Sequence, residues 1–311
     1  MEVCLAVDIG GTKMAVGLVD RAGGLVAERR ALTPRSGDAE AVFAALTDIL
    51  SDLACGDLPR PGKGRPTRRS ILACGVGCGG PMQAGGTAVS PLNVPAWRDF
   101  PLLDRLSELT GLPVVIDNDA KALALGEGWV GAARGMDDFM AMVVSTGIGG
   151  GIVSGGKLLD GSSGNAGHVG HVVVEPGGRR CACGGRGCVE AEASGTAIAA
   201  MSGRPAEHAS PELVKRSGTM VGRAVASVVN LLDLPLVLIA GSVALGFGRP
   251  FFEAASAELS RRARLDFSAS ARIRPGGLGS SGPLVGAGAL AWRLLGEHVL
   301  GSADEPAVQG A

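Results

Sequence analysis

The sequence predicts an α/β protein of two related lobes that flank a central cleft. The chain is 311 residues long, more than one compact hydrophobic core usually holds, and this length favours two lobes. Strand-like and helix-like segments alternate along it, and each half opens with an apolar strand, a glycine turn and a second strand. Two α/β units of this kind are expected to pack around a shared cleft.

The composition limits the classes of partner. Hydrophobic residues make up 46% of the chain, charged residues 19%, and the formal net charge is −1, so neither nucleic acid nor an anionic membrane is an expected partner. The N-terminus lacks the basic and apolar regions of a signal peptide, and the apolar, uncharged stretch 236–248 is too short to span a bilayer. Seven cysteines, three of them within 181–188, indicate a reducing compartment and a metal site. We expect a cytoplasmic location.

The hydrophobic pattern predicts the elements in order. The first half is predicted to form strands at 3–8, 14–20 and 24–32, a helix at 39–53, a strand at 71–76, a helix at 102–110, a strand at 113–117 and a helix at 119–131. The second half is predicted to form strands at 139–145, 149–154 and 236–240, with helices at 211–232, 251–264 and 285–299. The basic, proline- and glycine-rich residues 56–70 are interpreted as an exposed loop, and the last dozen residues are expected to fray. The small lobe is assigned to 1–118 with the C-terminal helix 285–300, and the large lobe to 119–284.

The first glycine turn, DIGGTK at 8–13, lies between two strands. A Walker P-loop or a Rossmann turn joins a strand to a helix, so this context excludes both. Glycines let backbone N–H groups approach phosphate oxygens, the threonine adds a hydroxyl donor, and the aspartate can hold Mg²⁺ directly or through water. By itself the segment also fits an ordinary glycine hairpin. The candidate ATP and Mg²⁺ contacts here are Asp8, Gly10, Gly11, Thr12 and Lys13.

Two further glycine turns favour nucleotide binding. STGIGGG at 145–151 repeats the strand–turn–strand design, and AGSV at 240–243 follows an apolar strand and suits the nucleoside. The candidate ATP contacts in these turns are Ser145, Thr146, Gly147, Gly149, Gly241 and Ser242. In order and spacing, the three turns resemble the phosphate-1, phosphate-2 and adenosine elements of the actin–hexokinase superfamily. That resemblance spans most of the chain and implies a two-lobed actin-like/hexokinase (ribonuclease H-like) ATPase fold.

The segment DNDAKA at 117–122 supplies the candidate catalytic base. It runs from the end of a strand into a helix, where Asp119 is placed to accept the proton of a substrate hydroxyl. The helix dipole favours the ionised carboxylate, so we expect Asp119 to have no raised pKa and to act mainly by positioning. Without context, Asn118 or Asp119 is equally well explained as a plain helix N-cap.

The densest group of metal-ligating residue types is His171 with the CACGGRGC loop at 181–188. Three thiolates and one imidazole complete a tetrahedral zinc shell with no open position, which predicts a structural ion. The predicted ligands are His171, Cys181, Cys183 and Cys188. The alternative is three free buried cysteines.

The segments GHVGH at 167–171 and EAEASG at 190–195, with the cysteine loop between them, resemble the signature of the ROK family of bacterial glucokinases and N-acetylmannosamine kinases. The resemblance implies phosphorylation of a hexose at its 6-hydroxyl by MgATP with Asp119 as the base, a zinc-bound His171 that helps to position the sugar, and a homodimer. It also implies that the sugar is contacted by Gly79, Gly80, Asn93, Asn118, Asp119, His171 and Glu190. Trp97 matches an Asn-x-x-x-Trp stretch at the cleft but is equally explained by packing.

One position departs from the family signature. His168 stands where the signature usually has glutamate. A carboxylate can accept two hydrogen bonds from a sugar diol, whereas a neutral imidazole offers one acceptor and one donor. His168 is therefore a further predicted sugar contact, and an N-acetylmannosamine or N-acetylglucosamine kinase is the alternative to a glucokinase.

Two other functions are weighed against a kinase. ROK transcriptional regulators carry a winged helix-turn-helix before the kinase-like part, and here Asp8 comes within a few residues of the start. A catalytically inactive, zinc-containing sugar-binding protein is less consistent with the presence of Asp8, Thr12 and Asp119. Sugar and ATP are therefore the expected partners, with polyphosphate left open as an alternative donor.

Overall fold

The computed structural model describes residues 1–34, 37–57 and 70–301. The basic loop expected at 56–70 lies outside the described residues from 58 to 69. The expected fraying of the C-terminus likewise falls on residues outside the description, from 302 to 311.

The described elements alternate between strands and helices, as the sequence predicts. The strands are β1 (Glu2–Ile9), β2 (Lys13–Asp20), β3 (Leu25–Leu32), β4 (Ser70–Cys78), β5 (Val114–Asn118), β6 (Phe139–Val144), β7 (Ile148–Ser154), β8 (Lys157–Leu158), β9 (Leu236–Ala240) and β10 (Arg272–Pro275). The helices are α1 (Ala39–Asp57), α2 (Leu102–Thr110), α3 (Asp119–Trp129), α4 (Val189–Ala193), α5 (Gly195–Ser202), α6 (Pro211–Leu232), α7 (Ser242–Phe247), α8 (Arg249–Arg262) and α9 (Gly282–Leu294).

The strands form two five-stranded sheets of the same topology. The first sheet has the order β3-β2-β1-β4-β5, and the second has the order β8-β7-β6-β9-β10. In the first sheet, β1, β2 and β3 are antiparallel neighbours, and β4 and β5 run parallel to β1. In the second sheet, β6, β7 and β8 are antiparallel neighbours, and β9 and β10 run parallel to β6. The two halves of the chain therefore repeat one α/β design, which confirms the predicted fold class of two related lobes.

Central strands are apolar along their length because both faces of each sheet are covered. All five residues of β9 and residues 3–7 of β1 are buried. In the first half, apolar residues of α1 and α2 pack with this sheet, and α6 and α8 do the same in the second half. The core thus lies between each sheet and the helices that cover it, and the strand ends are free to carry polar residues.

Two helices lie where the halves meet. α3 packs on strands of both sheets and against α9, which itself packs on β1, β2 and β4. Trp292 of α9 is fully buried, and its indole N–H donates to the Val19 carbonyl (3.2 Å). Glycine permits the close approach of these helices, since a Cβ added to Gly126 would lie 3.0 Å from the Gly286 nitrogen. The last helix in sequence therefore packs on the first sheet, while the lobe boundaries at 118 and 284 stay predictions.

Some element bounds differ from the predictions. The last helix ends at Leu294 rather than near residue 300, because Gly296 adopts a positive φ of 89° and donates to the Arg293 carbonyl in a terminating turn. The first helix runs to Asp57, beyond the predicted 53. The short elements α4, α5, α7, β8 and β10 were not predicted, because each has too few residues for its hydrophobic periodicity to be recognised. In the described ranges, no helix is both long enough and apolar enough to cross a bilayer.

Candidate active site and metal site

The first two glycine turns meet across the cleft. The turn between β1 and β2 closes with a hydrogen bond from the Gly10 N–H to the Lys13 carbonyl (3.1 Å). Its Thr12 hydroxyl lies 3.3 Å from the hydroxyl of Thr146, in the turn between β6 and β7. The structure therefore brings together two sets of predicted phosphate contacts that are more than a hundred residues apart in sequence.

The third glycine turn joins the second. The Ser242 hydroxyl at the start of α7 lies 3.0 Å from the Ser145 hydroxyl. Gly241 has a φ of 100° and packs against the backbone of Val144, so a side chain does not fit there. The three turns form one polar edge at the carboxyl ends of β1, β6 and β9, the end of the strands where α/β sheets commonly bind ligands.

Thr33, which the sequence analysis missed, supports the first turn. Its side chain is buried, its hydroxyl donates to the Gly10 carbonyl (2.6 Å), and its backbone N–H donates to the Thr12 carbonyl (3.1 Å). A single threonine after a strand carries no motif. Only the pairing of β2 with β3 places it beside the turn.

The start of α5 supports the second turn. The Gly195 N–H donates to the Ser145 carbonyl (2.7 Å), and both the N–H and the hydroxyl of Thr196 donate to the Thr146 carbonyl (3.2 and 2.9 Å). The sequence analysis used Gly195 only as part of a family signature and missed Thr196. The helix signal at this point was hidden because α4 and α5 are both short.

Glu190 lies beside the same turn. One of its carboxylate oxygens accepts from the Ile148 N–H (2.9 Å), and a Cβ added to Gly147 would lie 2.9 Å from that oxygen. Glu190 therefore links α4 to the second turn, and its predicted contact with sugar stays a prediction.

Strand register places two carboxylates side by side. Asp8 on β1 pairs with Gly77 on β4, which pairs with Asp117 on β5, two residues before Asp119. A Cβ added to Gly77 would lie 3.8 Å from Asp8 Oδ1 and 3.5 Å from the Asp119 Cα. Burial, and next the charge of Asp119, raise the pKa of the Asp8 carboxyl to about 7. Two neighbouring, half-buried carboxylates in this arrangement favour a cation between them.

The pKa of Asp119 corrects one expectation. Asn118 is the N-cap of α3, and its side chain accepts from the Ala120 N–H (3.0 Å), as does Asp119 Oδ1 (2.9 Å). We expected the helix start to hold the pKa of Asp119 low. Instead, burial raises it above the usual 3.8, outweighing the Ala120 N–H and the nearby His168, while the charge of Glu190 raises it further.

The other wall of the site carries the predicted sugar contacts. A Cβ added to Gly80 would lie 2.9 Å from His168 Nε2 and 3.5 Å from Asn118 Nδ2. A Cβ added to Gly149, in the second turn, would lie 4.0 Å from both Asn118 Oδ1 and Asp119 Oδ1. Donors and acceptors from three separate segments therefore converge around Asp119.

Asn93 lies between the two glycine segments of the first half. A Cβ added to Gly11 would lie 2.5 Å from the backbone oxygen of Asn93. A Cβ added to Gly79 would lie 2.9 Å from its side-chain Oδ1. Among the described residues no group donates to the buried Oδ1. An acceptor left this way is consistent with a ligand contact, and the predicted sugar contact of Asn93 stays a prediction.

Trp97 is a packing residue. It is fully buried, its indole N–H donates to the Ala39 carbonyl (3.1 Å), and its ring stacks on Phe100 with the centroids 4.5 Å apart. Of the two explanations for the Asn-x-x-x-Trp stretch, packing accounts for the tryptophan.

The four predicted metal ligands form one cluster. The ligand atoms of His171, Cys181, Cys183 and Cys188 all lie within 4.8 Å of one another. Cys181 Sγ is 3.6 Å from His171 Nδ1, and Cys183 Sγ is 3.8 Å from Cys188 Sγ. A tetrahedral ion with metal–sulfur bonds of about 2.3 Å requires ligand separations of about 3.8 Å, so the residues fit such an ion. The His171 ring is also 6.3 Å from that of His168, which links the cluster to the cleft.

Glu192 and Arg216 hold the cysteine loop and were missed in the sequence. The buried carboxylate of Glu192 accepts from the Arg179 N–H (2.6 Å) and from the Arg216 guanidinium of α6. Arg216 also donates to the Glu192 carbonyl (2.7 Å). A charged pair 24 residues apart has no local sequence signal, but it fixes the loop against α6.

The chain is similar over most of its length to known proteins. A model of the ROK family matches residues 4–293. The chain is 37% identical over 260 residues to an N-acetylmannosamine kinase of Escherichia fergusonii, a match that covers 78% of this chain and 84% of that protein.

Two solved structures share the fold. A ROK family glucokinase from Streptomyces griseus, crystallised with glucose and AMPPNP, has a TM-score of 0.81 and 28% identity. A ROK hexokinase from Thermus thermophilus has a TM-score of 0.76 and 32% identity. Each match covers 94% of this chain and 99% of the other.

Proposed function

This chain belongs to the ROK family, and on that premise we propose that it is a kinase that transfers the γ-phosphoryl group of ATP to the 6-hydroxyl of N-acetylmannosamine. The observation that carries the proposal is the position of Asp119. Its carboxylate lies next to Asp8 and the second glycine turn on one side. On the other side, Gly80 from the first half of the chain lies against both His168 Nε2 from the second half and the Asn118 amide.

The residues divide the work of phosphoryl transfer between them. Backbone N–H groups and hydroxyls of the turns at 10–13 and 145–149 hold the phosphates, and the turn at Gly241 borders the nucleoside. Asp119 accepts the proton of the 6-hydroxyl while the sugar oxygen attacks the γ-phosphorus and ADP leaves. Asp8 is the residue that would hold Mg²⁺, and the ion would neutralise phosphate charge.

We assign the metal cluster to zinc. Three thiolates and an imidazole at tetrahedral spacing suit Zn²⁺ in a closed, structural site, because no ligand position is left for a reacting water. His171 contributes Nδ1 to the cluster, so its imidazole would be held still beside the predicted sugar contacts when the ion is bound. The predicted homodimer and the cytoplasmic location stay predictions.

The choice of N-acetylmannosamine rests on two observations. The curated relative with 37% identity is named for that sugar, and His168 presents a nitrogen to the cleft where the family signature usually has glutamate. Glucose is the second candidate, because the Streptomyces griseus neighbour at 28% identity is a glucokinase. The Thermus thermophilus hexokinase supports phosphorylation of an unsubstituted hexose in the same way.

A coupled ADP-release assay tests the proposal. Purified, zinc-loaded protein with MgATP is given N-acetylmannosamine, N-acetylglucosamine, mannose or glucose in turn. We expect the largest kcat/KM with N-acetylmannosamine. A larger value with glucose selects the second candidate, and no sugar-dependent ADP release from folded, metal-loaded protein contradicts the kinase.

The raised pKa of Asp119 predicts the acidic side of the pH profile. Only the ionised carboxylate accepts a proton, so kcat/KM falls as pH drops through the pKa of Asp119. Since burial raises that pKa above 3.8, the fall begins at a higher pH than an exposed aspartate would cause. The pH dependence of kcat/KM, measured with excess coupling enzymes, checks this. An identical fall in the residual activity of Asp119→Asn assigns the titration to another group.

A further inference from the structure

Asn165 joins the two chain segments on the sugar side of the cleft, 79–82 and 165–168. Its Oδ1 accepts from the backbone N–H of Met82 (3.2 Å), and its Nδ2 donates to the backbone carbonyl of the same residue (3.0 Å). Met82 follows Gly79 and Gly80 in the first half of the chain, whereas Asn165 lies three residues before His168 in the second. One side-chain amide therefore clasps the main chain of the opposite segment: it accepts one hydrogen bond from Met82 and donates another to it.

The clasp requires an amide. The N–H and the carbonyl of Met82 demand one acceptor and one donor at fixed positions, and an asparagine side chain offers both in a plane. The second hydrogen of Nδ2 faces the Ser163 carbonyl (3.0 Å). Aspartate offers no donor, and alanine offers neither group.

The backbone of Asn165 also fixes the imidazole of His168. Its carbonyl oxygen lies 2.8 Å from His168 Nδ1. A carbonyl only accepts, so Nδ1 carries the hydrogen and Nε2 of the neutral ring is left as an acceptor. Nε2 is the atom that faces Gly80.

We propose that Asn165 is a positioning residue for sugar selection. Its side chain binds the main chain of Met82, and its backbone carbonyl accepts from the Nδ1–H of His168. Together these contacts hold His168 Nε2 as a fixed acceptor beside Gly80. That acceptor selects sugars with a donor at this position, a hydroxyl O–H or an amide N–H. This inference rests on the proposed function, because it assumes that the sugar binds beside His168 and Gly80.

The loop that carries Asn165 has a second, independent anchor. The buried Lys121 ammonium lies 2.7 Å from Asp160, 2.9 Å from Asp117 and 3.3 Å from the Gly164 carbonyl. When the amide of Asn165 is removed, the Lys121 contacts therefore still hold the loop. What is lost is the pair of hydrogen bonds to Met82, and with them the fixed position of His168.

Steady-state kinetics of Asn165→Ala test the role. The variant keeps the backbone carbonyl but loses both hydrogen bonds to Met82, so we expect the sugar KM to rise about ten-fold. The KM for ATP and kcat stay within about two-fold, because the glycine turns and Asp119 are untouched. Asn165→Asp gives the same direction of change. Ser163→Ala is the matched control, since its hydroxyl lies 3.4 Å from the amide and only the backbone carbonyl matters.

A double-mutant cycle shows whether Asn165 acts through His168. In a His168→Ala background, Asn165→Ala should add little to the rise in sugar KM. Additive effects, an unchanged sugar KM, or a joint loss of sugar affinity, ATP affinity and melting temperature each overturn the inference.

Nitrogen-15 NMR of the four histidines separates this inference from the proposed function. In the wild-type protein without sugar, we expect His168 to be protonated at Nδ1 only. Asn165→Ala keeps the backbone carbonyl, but the carbonyl is no longer held in place through the side chain's hydrogen bonds to Met82, so we expect a mixture of tautomers in this variant. If the wild type phosphorylates no sugar but this change occurs, the proposed function fails and the positioning role stands. If the tautomer is the same in both proteins and the wild type is an active kinase, the inference fails alone.

Discussion

Asp119→Asn lowers kcat by about 10²- to 10⁴-fold, the range for loss of a general base, while sugar affinity changes little. Asparagine has the shape of aspartate and keeps an oxygen that accepts from the Ala120 N–H, but its amide does not take up a proton from the 6-hydroxyl. The cap of α3 is preserved because Asn118 supplies it. Steady-state kinetics measure the loss of turnover, and calorimetric titration with sugar measures the retained binding.

Asp38→Asn is the matched control for this prediction. Asp38 also accepts from a backbone N–H at a helix start, that of Ala41 (2.9 Å), but α1 carries none of the predicted site residues. Its kcat should equal that of the wild type. A comparable loss of sugar binding and turnover in Asp119→Asn would show that Asp119 binds the sugar, and it would contradict the assignment of Asp119 as the catalytic base.

Cys188→Ser is expected to empty the metal site and to abolish efficient sugar use. Cys188 is buried and lies 3.8 Å from Cys183, and a serine hydroxyl is a poor replacement for a thiolate ligand of zinc. We expect bound zinc to fall from one ion per chain to almost none, with a lower melting temperature, because binding of a structural ion contributes directly to folding. The kcat/KM for sugar falls by at least about ten-fold as His171 loses its fixed orientation.

Elemental analysis of the purified protein measures the zinc, and two controls accompany it. Cys4→Ala removes a buried cysteine outside the cluster and should keep one zinc per chain. Chelation of the wild type, followed by return of zinc, should remove and restore activity, whereas zinc should not rescue Cys188→Ser. A variant that retains stoichiometric zinc shows that Cys188 is not a ligand, and a zinc-free variant with wild-type kinetics separates the metal from sugar use.

The family and the sugar-kinase activity predicted from the sequence are confirmed by the family model and by the relatives. Both predictions came from short segments with a chemical reason for each residue type, such as DIGGTK at 8–13 and the cysteine loop at 181–188. The hydrophobic pattern also identified the long central strands, since β1 and β9 are buried almost throughout. Short elements such as α4 and β10 carried too few residues to show a period.

The pKa of Asp119 shows where local reasoning failed. The helix start and the Ala120 N–H do favour the ionised form, as expected, but burial outweighs them. Burial of this carboxyl depends on how both sheets and the segments around Asp8 and Glu190 surround it. No residue near Asp119 in sequence carries that information.

By itself, the sequence determined what is encoded in consecutive residues: the strands, the glycine turns, the group of metal ligands and the family. Only the tertiary structure decided which of these meet. It placed Thr12 against Thr146 and Asn165 against Met82. A motif records the chemistry of a residue and its neighbours in the chain, whereas contacts between distant segments depend on packing and strand register, which become definite when the two sheets are assembled.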